Sequence, residues 1–186
     1  MKKILALFLA MLVVVTMAAC GGPAYTRGTV ADGRYENTWA GIAYTFGDSW
    51  TDTTEEQNAT MAGSGTETGL CVQNDLDGRV LQMMFEKLPT LQRGMTEQDY
   101  ANTLKEEFET SYAELGYTIG GFSTSSATVA GESYLVLKTE ITSPELVQLM
   151  YLRKIDAYMV AICVSAQSEA DAQEIAAGIE KLPESK

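Results

Sequence analysis

The sequence predicts an α+β domain built around one large, mostly antiparallel sheet. From Tyr117 onward, apolar and polar residues alternate with a period of two, which is typical of strands that bury one face. The turn signals between these runs are short, so successive strands should be antiparallel neighbours. Two segments with helical spacing lie before and after the strands, and this segregation is characteristic of α+β domains.

The first 19 residues have the organisation of a secretory signal peptide. Lys2 and Lys3 precede an apolar run over residues 4–15, which is shorter than the roughly 20 residues that a membrane-spanning helix needs. The segment that follows, Met17-Ala18-Ala19-Cys20, resembles the lipobox of bacterial lipoproteins. This resemblance implies cleavage before Cys20, a diacylglycerol thioether on its sulfur, and an extracytoplasmic position on the bacterial cell membrane.

Cys20 would then attach the mature chain to the membrane. Two or more acyl chains form an anchor that does not readily leave the bilayer. Residues 20–33 include two adjacent glycines and show no apolar period, so we expect a lipidated flexible tether there. Residues 34–186 are expected to form a single domain. The alternative for the first 20 residues is a plain signal peptide with an incidental cysteine.

The charge balance restricts the possible partners. The chain has 13 lysines and arginines against 25 aspartates and glutamates, a net charge of −12, and cleavage of the leader removes two more positive charges. Such an acidic surface repels both phosphate backbones and anionic lipid headgroups. We therefore exclude nucleic acid as a partner and expect the domain to stand away from the membrane surface.

The chain contains no histidine, which removes the usual general base of Ser-His and Cys-His catalysis and the commonest transition-metal ligand. No catalytic residue, metal site or cofactor is predicted. A hydrolase that pairs Ser64 with a lysine base is the remaining enzymatic alternative. Cys71 and Cys163 lie in apolar, strand-like runs, where they are either buried as free thiols or joined in one disulfide.

Short motifs define the elements of the first half. Asp75-Leu76-Asp77-Gly78 separates two β-rich runs, and Asp-Gly favours a hairpin turn. Thr96 with Asp99 three residues later is a capping-box pattern at the start of a helix. The predicted elements are, in order, a hairpin over 35–46, a short helix over 53–61, a loop over 63–69, a hairpin from 70–74 and 80–88, and an amphipathic helix over 96–115.

Strands dominate the second half. Turn residues such as Ala130-Gly131-Glu132 and Ser143-Pro144 separate runs rich in β-branched and aromatic residues. Ser168 with Asp171 begins a final helix. The predicted elements are strands over 117–120, 126–129, 133–141, 146–155 and 158–166, and a helix with an apolar stripe of Ala172, Ile175, Ala176, Ile179 and Leu182.

The order of these elements resembles that of the Mog1/PsbP-like families. Tyr35-Glu36-Asn37, the strand over 41–46 and Trp50 are similar to the amino-terminal signature of these families, although Gly47 replaces an expected proline. The later hairpins resemble the closing half of the same fold, which small uncharacterised clostridial envelope lipoproteins share. The resemblance implies an α/β/α sandwich used mainly for binding, with no catalytic residues to carry over.

Large aromatic residues of the first hairpin are the candidate binding residues, because exposed aromatic side chains are favoured at interfaces and clefts: Trp39, Tyr35 and Tyr44. The leading hypothesis is a lipid-anchored, non-enzymatic accessory that binds an envelope protein or assists assembly of a membrane complex. The alternative is a small-ligand-binding lipoprotein. The sequence specifies neither the partner nor the oligomeric state.

Overall fold

The computed structural model describes residues 24–183, so the predicted signal peptide and Cys20 lie outside the described residues. Within this range the chain forms eleven strands and three α-helices. The predicted α+β class is confirmed. The strands are β1 Thr29–Ala31, β2 Arg34–Asn37, β3 Ile42–Thr45, β4 Trp50–Asp52, β5 Thr66–Asn74, β6 Val80–Lys87, β7 Thr118–Val129, β8 Glu132–Ser143, β9 Glu145–Ile155, β10 Tyr158–Ala166 and β11 Ile179–Lys181, and the helices are α1 Thr54–Thr60, α2 Glu97–Glu114 and α3 Glu169–Ala177.

A seven-stranded antiparallel sheet forms the centre of the domain, in the order β4-β5-β6-β10-β9-β8-β7. A smaller sheet, β1-β2-β3-β11, packs on one face together with α3, and helix α2 packs on the opposite face. Both faces of the central strands are therefore buried, which explains why β10 is apolar along most of its length.

Local sequence signals start the helices where they were expected. Thr96 and Asp99 form a complete capping box at α2, and the Ser168 side chain accepts a hydrogen bond from Asp171 N at α3. Helix α1 lies along β5 beyond the short strand β4. Its Thr54 and Asn58 side chains bond to the β5 backbone, so α1 satisfies a strand edge that would otherwise be unpaired.

Three predicted elements differ from the structure. The expected loop over 63–69 is shorter, because β5 begins at Thr66 and pairs with β6 from that residue. Residues 118–129 form one strand rather than two. This polar run is the edge of the sheet and pairs only with β8, and the strand continues through its glycines by register shifts between Thr118 and Gly121. The stripe predicted for the last helix is also divided. The helix ends at Gly178, and Ile179 belongs to β11, where it pairs with Tyr44 of the small sheet.

The packed chain begins earlier than residue 34. Tyr25 packs against the core, and Thr29–Ala31 pairs with β2. The expected flexible tether over 20–33 is therefore corrected for its described part, since residues 25–33 are held by strand pairing and by aromatic contacts.

Candidate functional site

The three aromatic residues predicted to bind a partner are buried. Tyr35 is 0%, Tyr44 6% and Trp39 8% exposed, and all three belong to the core between the two sheets. They contact the protein itself and offer no binding surface. The prediction that they line an interface is therefore corrected.

Tyr35 and Trp39 instead hold the amino-terminal segment, whereas Tyr44 pairs with Ile179 of β11. The Tyr35 hydroxyl donates to the Arg27 carbonyl oxygen at 2.7 Å, and Asn37 Nδ2 donates to the Thr26 carbonyl oxygen at 2.9 Å. Asn37 Oδ1 also accepts a hydrogen bond from Ala40 N at 2.8 Å. The aromatic-x-Asn motif therefore joins the turn of the first hairpin to the chain segment that leads back towards Cys20.

Aromatic stacking fixes the same segment further along. The Tyr25 ring stacks on Tyr158 with centroids 4.0 Å apart, and its edge meets Trp39 at 5.1 Å. The Tyr25 hydroxyl donates to a Glu67 carboxylate oxygen at 2.6 Å. Burial and then this hydrogen bond raise the pKa of Tyr25 above its ordinary value. Tyr25 is therefore a structural residue with a neutral hydroxyl.

A close crossing of two backbones requires glycine in β5. A Cβ atom on Gly69 would lie 2.4 Å from the Arg27 carbonyl oxygen and 2.7 Å from Phe85 Cε2. The register of β5 against β6 shifts at this glycine. The segment before β1 thus passes directly over the large sheet, where no side chain fits beneath it.

The two cysteines within residues 24–183, Cys71 and Cys163, are free thiols. Cys71 and Cys163 both pair with Gln82, on opposite sides of β6, so two strand spacings of about 4.8 Å each separate them. That separation exceeds the roughly 7 Å that a disulfide can bridge. Burial raises the pKa of Cys163 to about 12, which makes the thiol unreactive. Of the two alternatives from the sequence, the structure supports buried thiols.

An apolar cleft lies between α2, the large sheet and the loop after α1. Its volume is about 230 Å³. The chain has nine methionines, of which Met1, Met11 and Met17 precede Cys20, and four of the other six line this cleft. We call it the methionine cleft, and its lining is Met61, Thr66, Met84, Glu86, Tyr100, Leu104, Glu107, Phe108, Met150, Met159 and Ala161.

The helical period of α2 supplies one wall of the methionine cleft. Tyr100, Leu104 and Phe108 lie four residues apart on one face of the helix, and each is only partly buried. Hydrogen bonds from the Thr96 side chain and backbone lower the pKa of Asp99, so the capping carboxylate is charged near neutral pH. The start of the helix, and with it this wall, is therefore well fixed.

Two carboxylates stand at the rim of the cleft. The Tyr100 hydroxyl donates to Glu86, and burial together with this bond raises the pKa of Tyr100. Glu107 lies about two turns beyond Tyr100 along α2. The cleft therefore combines an apolar interior with a negative rim.

A second cleft, of about 560 Å³, lies between α3 and the β7 edge of the sheet. Its walls are mainly serine, threonine and alanine, with Lys138 at one side. Lys138 forms ion pairs with Glu140 at 2.7 Å and Glu169 at 2.8 Å, and these partners raise its pKa to about 12. A lysine held protonated in this way is a poor general base.

Residues 24–183 give little support to a Ser64 hydrolase, a metal site or a membrane-spanning helix. Ser64 is exposed, its oxygen accepts a hydrogen bond from Thr66 N at 3.1 Å, and no lysine of residues 24–183 bonds to it. Over the same residues there is no group of three histidine, cysteine or acidic side chains placed to hold a metal ion. None of the described helices is both long and apolar enough to cross a membrane.

Comparison with known proteins identifies the fold alone. No family model and no curated protein matches the sequence. The solution structure of cyanobacterial PsbP (CyanoP) from Synechocystis sp. PCC 6803 is similar, with a TM-score of 0.51 and 12% identity over 88% of this chain and 97% of that chain. A crystal structure from Bacteroides thetaiotaomicron VPI-5482 matches with a TM-score of 0.38 and 10% identity, over 87% of this chain and 51% of that one. The chain therefore has a PsbP-like α+β fold.

Proposed function

We propose that the protein is a lipid-anchored, extracytoplasmic binding protein without enzymatic activity, which holds a segment of an envelope protein in the methionine cleft. The lipobox resemblance at Cys20 supports the anchor. The observation that most supports the binding role is the cleft itself, which is an apolar space that stays partly open beside α2.

The lining of the cleft favours a protein segment as its occupant. Methionine side chains are flexible and polarisable, so they adapt to apolar side chains of different shapes. The cleft volume of about 230 Å³ is below the 300–1,000 Å³ of pockets that enclose whole small ligands. One or two apolar side chains of a partner fit this space better than a free small molecule.

The rim of the cleft adds a charge preference. Glu86 and Glu107 stand beside the apolar lining, and α2 carries further acidic residues at Glu97 and Asp99. A segment with a basic residue next to its apolar side chains would meet complementary charge, which speeds association and selects among partners.

Small-ligand binding is the second candidate function. The cleft between α3 and β7 has a volume within the range of ligand pockets, and its serine-rich wall offers hydrogen-bonding groups. This alternative predicts that Ser125→Phe, which places a large ring in that cleft, abolishes ligand binding while Met61→Glu leaves ligand binding unchanged.

A pair of neighbouring substitutions tests the proposed site. Met61 lines the methionine cleft, whereas the next residue, Ala62, is exposed and lies outside it. Met61→Glu places a charge in the apolar lining, and we expect it to reduce recovery of partner from crosslinked envelopes about tenfold or more, because an unpaired buried charge is costly. Ala62→Glu carries the same charge change on the same loop and should recover as much partner as the unaltered protein.

Two controls make the result specific. Met61→Leu keeps an apolar side chain of similar volume and should retain binding. Thermal unfolding of each variant shows whether the fold is intact. Equal recovery with Met61→Glu and Ala62→Glu would contradict the proposed site.

A further inference from the structure

The loop between β6 and α2 carries the most exposed large apolar side chain of the described residues. Leu91 is 99% exposed and lies on a single 3-10 turn, Thr90–Gln92. The loop is held in place on both sides of this turn. Leu88 is buried, and the Lys154 ammonium donates to the backbone oxygens of Arg93 and Met95. Leu91 is thus presented to the outside by a fixed loop.

The charge of this loop is opposite to that of the whole chain. Residues 87–95 contain Lys87 and Arg93 but no acidic residue, although the chain has 25 acidic residues. Neither cation belongs to an ion pair among residues 24–183. Asp156, in the neighbouring β9–β10 turn, is an exposed carboxylate at the same end. The loop therefore presents one apolar tip beside two unpaired positive charges.

The anchor enters the domain at the same end of the sheet. Lys87, the last residue of β6, pairs with Tyr158, and the ring of Tyr158 stacks on Tyr25. Only five residues of chain lead from Cys20 to Tyr25, and five extended residues span at most about 18 Å. A lipidated Cys20 would hold this end of the sheet close to the bilayer.

We propose that Leu91 inserts into the headgroup region of the bilayer that holds the lipid on Cys20, with Lys87 and Arg93 beside the lipid phosphates. This inference rests on the anchor proposed above, and it revises the expectation that the acidic domain stands away from the membrane surface. An apolar side chain flanked by basic residues is the usual composition of interfacial membrane contacts. The nearest acidic residue of α2, Glu97, accepts a hydrogen bond from Lys154 N, and salt screens those exposed charges of the helix that lie more than about 10 Å away.

A fluorescent probe at two exposed leucines tests the contact. Leu76 is 84% exposed on the β5–β6 turn, at the opposite end of the sheet, about 25 Å along β6 from the Leu91 loop. Leu91→Cys and Leu76→Cys are each labelled with an environment-sensitive dye, since Cys71 and Cys163 are buried. The proteins are isolated from membranes, and the mass of the lipidated terminus is recorded. They are then reconstituted into protein-free vesicles of phosphatidylethanolamine and phosphatidylglycerol.

We expect nitroxide-labelled lipid to quench the dye at position 91 roughly threefold more strongly than the dye at position 76. Equal quenching at the two positions, or stronger quenching at position 76, would overturn the inference while leaving the anchor intact. A dye at position 91 that is shielded from water but not quenched by lipid would also overturn it, because it would indicate contact with protein. A terminus without lipid would overturn the anchor and this inference together.

Discussion

Replacing Cys20 with alanine should abolish the lipid-bearing form of the protein. The proposed thioether needs the cysteine sulfur, so the variant chain would remain an uncleaved precursor or leave the membrane after processing. Without acyl chains, an acidic domain has little affinity for an anionic bilayer. We expect the lipidated mature species in the membrane fraction to fall by roughly 100-fold or more, measured by mass spectrometry of the amino-terminal peptide.

The matched control for this experiment is Cys71→Ala. Cys71 is buried in β5, and its loss should reduce stability slightly without changing lipidation. The isolated domain of the Cys20→Ala variant should also unfold at the same temperature as the unaltered domain. An unmodified mature terminus in the unaltered protein would contradict the predicted anchor.

Replacing Asn37 with alanine should markedly lower the stability of the domain. Asn37 is 0% exposed, and its amide bonds to Thr26, Tyr35 and Ala40. The substitution leaves a buried N–H and a backbone carbonyl without partners, which costs about 3 kcal/mol of unfolding free energy. For a chain of this size, that change lowers the melting temperature by roughly 10 °C.

A second measurement shows where the Asn37→Ala variant loosens. Once the amino-terminal segment is released, trypsin should cut after Arg27 much faster than in the unaltered protein, because local opening exposes this bond. Asn102→Ala is the control, since Asn102 is exposed on α2 and should change stability by no more than about 0.5 kcal/mol. A variant of Asn37 with unchanged melting and unchanged cleavage would contradict the role given to the aromatic-x-Asn motif.

Much of the fold follows from local signals. The capping residues of α2 and α3 and the Asp-Gly turn between β5 and β6 each specify their element through a few neighbouring residues. The last strand could not be predicted in this way. Ile179 continues the helical spacing of α3, and only pairing with the distant β3 makes it a strand residue. Tertiary pairing there outweighs the local pattern.

The candidate site was predicted less well, for two physical reasons. Trp39, Tyr35 and Tyr44 were expected at a surface because the sequence does not indicate a second sheet, and that sheet places them against the first one. The methionine cleft is formed by side chains from several separate segments. The helical period of Tyr100, Leu104 and Phe108 was visible, but the methionines opposite them come together only in the folded chain.

The central claim is that the methionine cleft binds an envelope protein, and methionine methyl groups provide the most direct measurement. The domain is labelled at its methionine methyls and mixed with solubilised envelope protein eluted from the immobilised domain. We expect the signals of Met61, Met84, Met150 and Met159 to shift or broaden, while Met83, on the opposite face of β6, stays unchanged. Unchanged signals from the cleft methionines, or changes confined to Met83 and Met95, would contradict the claim.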